Sequence, residues 1–583
     1  MKINTNYSTV NMVYAKNIKR EEKPNFKGIP NPIEITGLGI LSSLALIGCA
    51  KMLEIIRCGE KEMSELDKFN ELKTKLEKKQ EPIEKKARYL DWEFYINSTP
   101  ENMEKMQKVW DEFSEIYKDK KAYEKFKSID GSKFNTHDAK LLKDILKDFD
   151  DELNTGDEKK ALRDKENEIA KKNNTYVPTI DGKEVSKAEI ASILQKETNP
   201  QIRKKEYEAK IKGGDLIADD LIAFVKMRNE YAKTKGYDNF FDYTLKETYD
   251  VDAEVLDKLI NDVYSQSQGK INTIRERLNG ELWEFFGTDE LKAYHYNFLL
   301  PSNPSKDVND VLEKLAKTHP YIIEEISKKA YEGMGYDVDA LKKEGKLTLD
   351  LYPRKGKNTH GFCFGIDSGR DARILANLKT DVNALDTLNH EMGHCVHYLG
   401  VSTDLPYFDR ADVPPALTEA IAMMMGDIIK REDVLKDVLP KESLKKFKDS
   451  FSEDEANFIA SSLRIIDFER NLYKNPDCDP KKLWQELTKK YLNRDDDATN
   501  EWATIPHYIS HPAYYQNYFR AALMKAQIYN HLKETLGNIT ENKNSANYMI
   551  ENIFRYGSSL DEYDLIKNLT GKEFSADDFT KSL

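Results

Sequence analysis

VNALDTLNHEMGHCVHYLG, residues 382–400, is the stretch that decides how the rest of the sequence is read. Val382, Leu385, Leu388, Met392, Val396 and Leu399 recur every three or four residues. That spacing predicts a mostly buried helix, with Gly400 placed to end it. On a helix His390 and His394 are one turn apart and share a face, so both imidazoles can grip one ion. Glu391 is turned aside and can reach a water instead of the metal. This is the HExxH arrangement of zinc peptidases. Random placement of 10 His and 102 acids in 583 residues would produce it ~0.03 times, so a chance pair of core histidines is the poorer reading.

Zinc needs a third protein ligand and an open fourth position. A third histidine in an HExxHxxGxxH pattern fails, because position 397 is His and position 400 is Gly. An acid twenty residues past His394 also fails, because Pro414 stands there. Glu419 follows in DVPPALTEAIAMMMGDI. Pro414 and Pro415 predict a helix start with Glu419 in its opening turns. Its neighbours Ala416, Leu417, Ala420, Ile421, Ala422 and Met423 are apolar, and an acid in such a segment is paired or coordinated. His397 shares the zinc helix and is read as packing or support for the ligands.

Outward from this stretch the chain reads as helical. Gly and Pro together are only 27 and 19 of 583 residues, which excludes collagen-like and loop-rich classes. With 90 Lys+Arg against 102 Asp+Glu the net charge is −12, and no nucleic-acid partner is expected without a basic stripe. Residues 51–215 are Lys/Glu-rich and helical in pattern, with Trp92, Phe94, Met103, Met106, Trp110, Phe113 and Tyr117 as a core stripe. Breaks are expected at Asn154-Thr155-Gly156 and at Lys212-Gly213-Gly214-Asp215. Helix continues over Leu216–Tyr249. Period-2 alternation predicts a strand over Lys346–Tyr352, and Arg373–Leu378 reads as a second. Helix resumes at Asp381. No repeat, phosphate loop or dinucleotide glycine fingerprint is present.

Five cysteines, odd in number and without a CxxC pair, imply neither a disulfide framework nor a thiolate zinc cluster. Residues 1–32 read as a disordered leader. Residues 33–50 contain the apolar run ITGLGILSSLALIGCA, short for a bilayer span and suited to a signal-peptide core. Its end, Leu46-Ile47-Gly48-Cys49, resembles a bacterial lipoprotein signal with Cys49 lipidated. Envelope anchoring and a cytoplasmic protein with a buried helix there both stay open.

HExxH followed by Glu419 at this distance resembles the thimet oligopeptidase, neurolysin and oligopeptidase F family, and is similar to the angiotensin-converting-enzyme family. Asp350-Leu351-Tyr352-Pro353-Arg354-Lys355-Gly356-Lys357, then His360 and Cys363-Phe364-Gly365, resembles the strand-and-turn segment of thimet-type enzymes. Gly369-Arg370-Asp371-Ala372-Arg373-Ile374 is closer to converting enzyme. Trp502-Ala503-Thr504-Ile505-Pro506-His507, followed by Pro512-Ala513-Tyr514-Tyr515-Gln516-Asn517-Tyr518, resembles the oligopeptidase F substrate-side segment. The resemblance implies oxyanion duties for a His and two tyrosines three residues apart, here His507, Tyr515 and Tyr518, with Tyr514 as an alternative alignment. It implies a substrate-binding His360, with backbone beside it, at Gly361, open to a peptide adding as a strand. Asn517 stands where converting enzyme has a chloride-holding Arg, and Thr504 and Ile505 stand where it has a carboxylate-gripping Lys. Chloride activation and strict removal of C-terminal dipeptides are therefore not expected.

The expectation is a mostly α, large, elongated helical body of neurolysin-like gluzincin type. A deep substrate channel splits it and a small sheet lies beside the HExxH helix. Residues 51–215 would wall the channel as a lid and 216–583 would form the catalytic region. One Zn²⁺ held by His390, His394 and Glu419, with Glu391 as general base, would hydrolyse short peptides in a monomer. A dipeptidyl carboxypeptidase and an inactive peptide-binding envelope protein are the alternatives.

Overall fold

The computed structural model describes residues 63–153 and 156–583. The leader, the apolar 33–50 segment with Cys49, and Asn154 and Thr155 of the first expected break lie outside these residues. Helices dominate. Strands among the described residues form a short antiparallel hairpin, β1 (Thr179–Ile180) with β2 (Lys183–Glu184), and one three-stranded sheet. The sheet holds β3 (Leu347–Asp350), β4 (Phe362–Asp367) and β5 (Asp371–Leu375) in the order β3-β5-β4. β3 runs parallel to β5, Leu349 opposite Ile374, and β4 runs antiparallel to it, Cys363 opposite Ile374. The body is mostly α, with the small sheet packed beside the HExxH helix.

β4 is the strand that alternation missed. Its Phe362 and Phe364 face the Trp92 and Tyr95 rings, while Cys363 turns to the other side and meets Cys395 of the HExxH helix at 2.8 Å between sulfurs. A strand covered on both faces carries no apolar/polar alternation.

Many helices begin on a capping side chain followed by proline: Thr99-Pro100, Asn199-Pro200, Asn303-Pro304 and Asp479-Pro480. The side-chain oxygen takes one of the first free N–H groups, and proline sits where no N–H is needed. The expected break at Lys212–Asp215 is corrected in part. The helix Pro200–Asp215 runs through Gly213 and Gly214 before it ends. A Cβ on Gly214 would lie 2.2 Å from the Asn500 carbonyl oxygen, and one on Gly213 2.8 Å from the Tyr176 ring. These glycines allow close approach; they do not interrupt the helix.

Two large cores flank the site. One gathers Leu385, Leu388 and Met392 with Ala420, Ile421 and Met424, over Tyr331 and Ile374. The other gathers Leu221, Phe224 and Phe241 with Leu463, Phe468, Trp502 and Tyr508. The helix Tyr515–Leu536 belongs to both, giving Ala521, Met524 and Ile528 to the first and Phe519, Ala522 and Leu523 to the second. The N-terminal helices have their own core around Phe69, Phe113, Tyr117 and Phe149. They dock through Trp92, through Arg88 donating to the Gly365 and Ala411 carbonyls, and through His137, 2.7 Å from Asp409. No helix among the described residues is long and apolar enough to cross a membrane.

Candidate metal centre and active site

The HExxH helix spans Val382–Gly400, the stretch first quoted, and Asp381 caps it by accepting the Ala384 N–H at 2.8 Å. The acid helix, Pro415–Arg431, crosses it closely. Glycines open the crossing from both sides. A Cβ on Gly393 would stand 2.9 Å from Ala422 Cα and from Met425 Cβ, and one on Gly426 would stand 2.8 Å from an Asp386 carboxylate oxygen. Without that contact the short Glu419 side chain could not reach across to the histidines.

It does reach them. Glu419 Oε2 lies 3.7 Å from His390 Nε2 and 3.9 Å from His394 Nε2. Ligand atoms around a tetrahedral zinc, with bonds of about 2.0–2.1 Å, stand about 3.3–3.5 Å apart. His390, His394 and Glu419 are the residues among those described that could hold a metal ion. Glu419 is fully buried, neither of its oxygens has a hydrogen-bond partner, and His390 Nε2 is likewise unpartnered. A buried carboxylate without donors is costly, and a dication between these atoms removes the cost, so the donor set fits zinc. Burial, then Glu391, pushes Glu419 well above the usual carboxylate range. Burial, then Lys525, lowers His390 to about 4, and burial also drives His394 down. Neutral imidazoles are what a metal requires.

Glu391 is buried on the same helix, beside the sheet. Burial raises its carboxyl to about 8, and the Cys363 backbone N–H donating to it offsets part of that rise. Gly361 lies against it: a Cβ there would be 3.6 Å from Glu391 Oε1. His360, one residue earlier, is exposed on the turn, with its backbone N–H held by Asn358 and its imidazole lowered by desolvation. Asp386, one turn before His390, is also exposed yet raised to about 7 by desolvation, then by Asp427. His397 does not join the site. It packs 4.8 Å from the Phe554 ring in the core.

The imidazole of His507 sits among tyrosines, 5.6 Å from the Tyr514 ring, 4.9 Å from Tyr515 and 6.1 Å from Tyr518. Burial, then His511, lowers His507 to about 3, so it is neutral. The two adjacent tyrosines point differently. Burial raises the Tyr514 phenol well above its usual value, with Glu419, Tyr249 and Tyr398 adding to the rise. Burial also raises the Tyr515 phenol, opposed by Arg464 and helped by Glu469. On a helix, neighbours are turned about 100° apart, so only one of the pair can face the centre. Tyr518 lies one turn on, its ring 5.2 Å from that of Tyr514 and 5.6 Å from that of Tyr515. Sequence reasoning missed Thr418, whose hydroxyl lies 2.9 Å from His394 Nδ1. Its position directly before Glu419 was the available signal.

The family model described as "Peptidase family M3" matches residues 193–583. The chain belongs to peptidase family M3. Among curated relatives, the oligoendopeptidase F homolog of Borreliella burgdorferi is 22% identical over 56% of this chain and 55% of its own length. Oligopeptidase PepF of Bacillus subtilis is 22% identical over 59% of this chain and 52% of its own length. The chromosomal oligoendopeptidase F of Lactococcus lactis subsp. cremoris is 23% identical over 67% and 63%. The chain thus spans a little over half the length of the curated relatives it matches, and the M3 match takes in the sheet, the metal centre and the tyrosine segment alike.

Proposed function

We propose that this M3 family member is a zinc-dependent oligopeptidase that hydrolyses short peptides. The observation that carries this reading is the convergence of His390, His394 and Glu419 with Glu391 on the adjoining helical turn. The oligopeptidase names of its relatives point the same way. His390, His394 and Glu419 would hold the Zn²⁺, which when bound acidifies water and polarises a carbonyl. Glu391 takes the proton of the attacking water and delivers it to the amine that leaves as the C–N bond breaks. Tyr514, Tyr518 and the neutral His507 donate to the carbonyl oxygen as it gains charge. The Gly361 backbone receives the extended peptide beside β4, with His360 at the rim. Tyr515 serves as packing in the core that holds Phe468, Trp502 and Tyr508.

The test is metal analysis combined with mass spectrometry of a mixed peptide library, run on wild type and Glu391→Gln. One zinc per chain in both, cleavage by wild type and almost none by the variant are expected. Full turnover by the variant would remove Glu391 as base. Cleavage that stops when C-termini are amidated would favour dipeptide removal, and peptide binding without cleavage a binding protein. Anchoring through Cys49 is a separate proposal, decided by incorporation of a labelled lipid precursor into wild type but not Cys49→Ser.

A further inference from the structure

The turn that carries His507 is poorly able to hold itself. It is a single helical turn, His507–Ser510, fixed by proline on both sides, Pro506 and Pro512. The closing carbonyls of a helix need donors from beyond its end, and Pro512 has no N–H to give. The Tyr508 and Ile509 carbonyls would be left facing the core. Both are met by one side chain from a distant part of the sequence. Arg228, on the helix Ala218–Thr234, donates from Nη1 to the Tyr508 oxygen at 2.8 Å and from Nη2 to the Ile509 oxygen at 2.6 Å.

The guanidinium is itself fixed from several directions. Arg228 is buried, lies 3.8 Å above the Phe224 ring, and donates from Nη1 to the Tyr473 hydroxyl at 3.1 Å. Glu166, from a helix upstream of the M3 match, supplies counter-charge at 3.5 Å. A second buried group secures the far end of the turn. Glu469 accepts the Ala513 N–H at 2.9 Å, where Ala513 has φ +59°, a left-handed conformation unusual for alanine. That bend turns the chain so that Tyr514 follows directly beside His507.

Resting on the oligopeptidase reading, we propose that Arg228 is a positioning residue for catalysis: its fork on the Tyr508 and Ile509 carbonyls sets the place of His507 relative to the metal centre. A planar fork fixes the direction of two donors toward two neighbouring carbonyls, which the shorter-reaching, freely rotating ammonium of lysine does not.

The experiment is a double-mutant cycle on peptide cleavage with Arg228→Lys and His507→Ala, read as kcat and KM separately, with thermal unfolding as the fold control. Alone, Arg228→Lys should lower kcat about 10- to 100-fold, as a displaced donor does, and leave KM nearly unchanged. In the His507→Ala background the same change should cost little further, because the group it positions is gone. Equal losses in both backgrounds, or a loss confined to KM, would overturn the proposal. If Arg228→Lys fails to fold, Tyr473→Phe, which removes only the hydroxyl steadying Nη1, replaces it in the cycle: a kcat loss that vanishes without His507 supports the proposal, and equal losses overturn it. A wild type that cleaves no peptide would instead defeat the oligopeptidase reading itself.

Discussion

Thr418 Oγ1 stands 2.9 Å from Nδ1 of His394, and the next residue along the same helix is Glu419. One turn of the acid helix therefore supplies a candidate ligand and also orients a second ligand on the facing helix. With Nδ1 engaged by the hydroxyl, the imidazole is held so that Nε2 points at the metal position.

Thr418→Val keeps the shape and removes the hydrogen bond. Zinc affinity should fall about 10- to 100-fold, measured by competition with a chromophoric chelator, while helix content stays the same. Unchanged affinity would leave the hydroxyl without a role at the metal.

Gly393→Ala tests the helix crossing. The new methyl would meet Ala422 Cα at 2.9 Å, and backbone cannot move aside as a flexible side chain can. Such overpacking costs about 1–3 kcal/mol. The same separation draws Glu419 away from the histidines, so denaturant stability and zinc affinity should drop together. A variant that lost neither would show that the crossing is looser than the contact implies.

Tyr514→Phe and Tyr515→Phe differ by one position and should differ in outcome. Loss of the Tyr514 hydroxyl should lower kcat by about 10²-fold, the scale of a lost oxyanion donor. Loss of the Tyr515 hydroxyl, which is buried in the core with Phe468 and Tyr508, should leave kcat near wild type. Steady-state kinetics on one cleaved peptide decides between them, and the reverse order would restore Tyr515 to the donor role.

The docking of the N-terminal helices should depend on pH through His137. Asp409 accepts from this imidazole and raises its pKa against the opposing effect of burial, with Asp138 adding to the rise and Lys73 opposing it. A raised histidine pKa favours the protonated folded state, so the stabilisation is complete below the unfolded value of ~6.5 and is lost as pH rises through the folded one. The gap in melting temperature between wild type and His137→Gln should be widest on the acid side of ~6.5 and close only as pH rises through the raised folded value. Curves that stay parallel from acid to alkaline pH would show that the contact is not ionic.

Much of this site can be read from residue spacing. The HExxH helix occupies 382–400 because its apolar period is unbroken and Asp381 caps it, and Glu419 follows from asking what an acid does in an apolar helix. Less can be read wherever tertiary contact decides. Gly213 and Gly214 look like a helix break until Tyr176 and Asn500 are placed against them. The β4 strand has no alternation because helices cover both faces. The helical phase of Tyr514 and Tyr515 is set by the left-handed turn at Ala513, and nothing in YYQNY announces that turn. Arg228 lies about 280 residues from the carbonyls it holds, a span no local pattern can bridge.

The helix Tyr515–Leu536 gives one flank to each of the two large cores. Neither half of the catalytic body can melt while the other stays intact, because the departing half would strip a wall from the one that remains. Calorimetry of this region should accordingly record a single cooperative endotherm, and attempts to express either half as an independent fragment should yield insoluble chain.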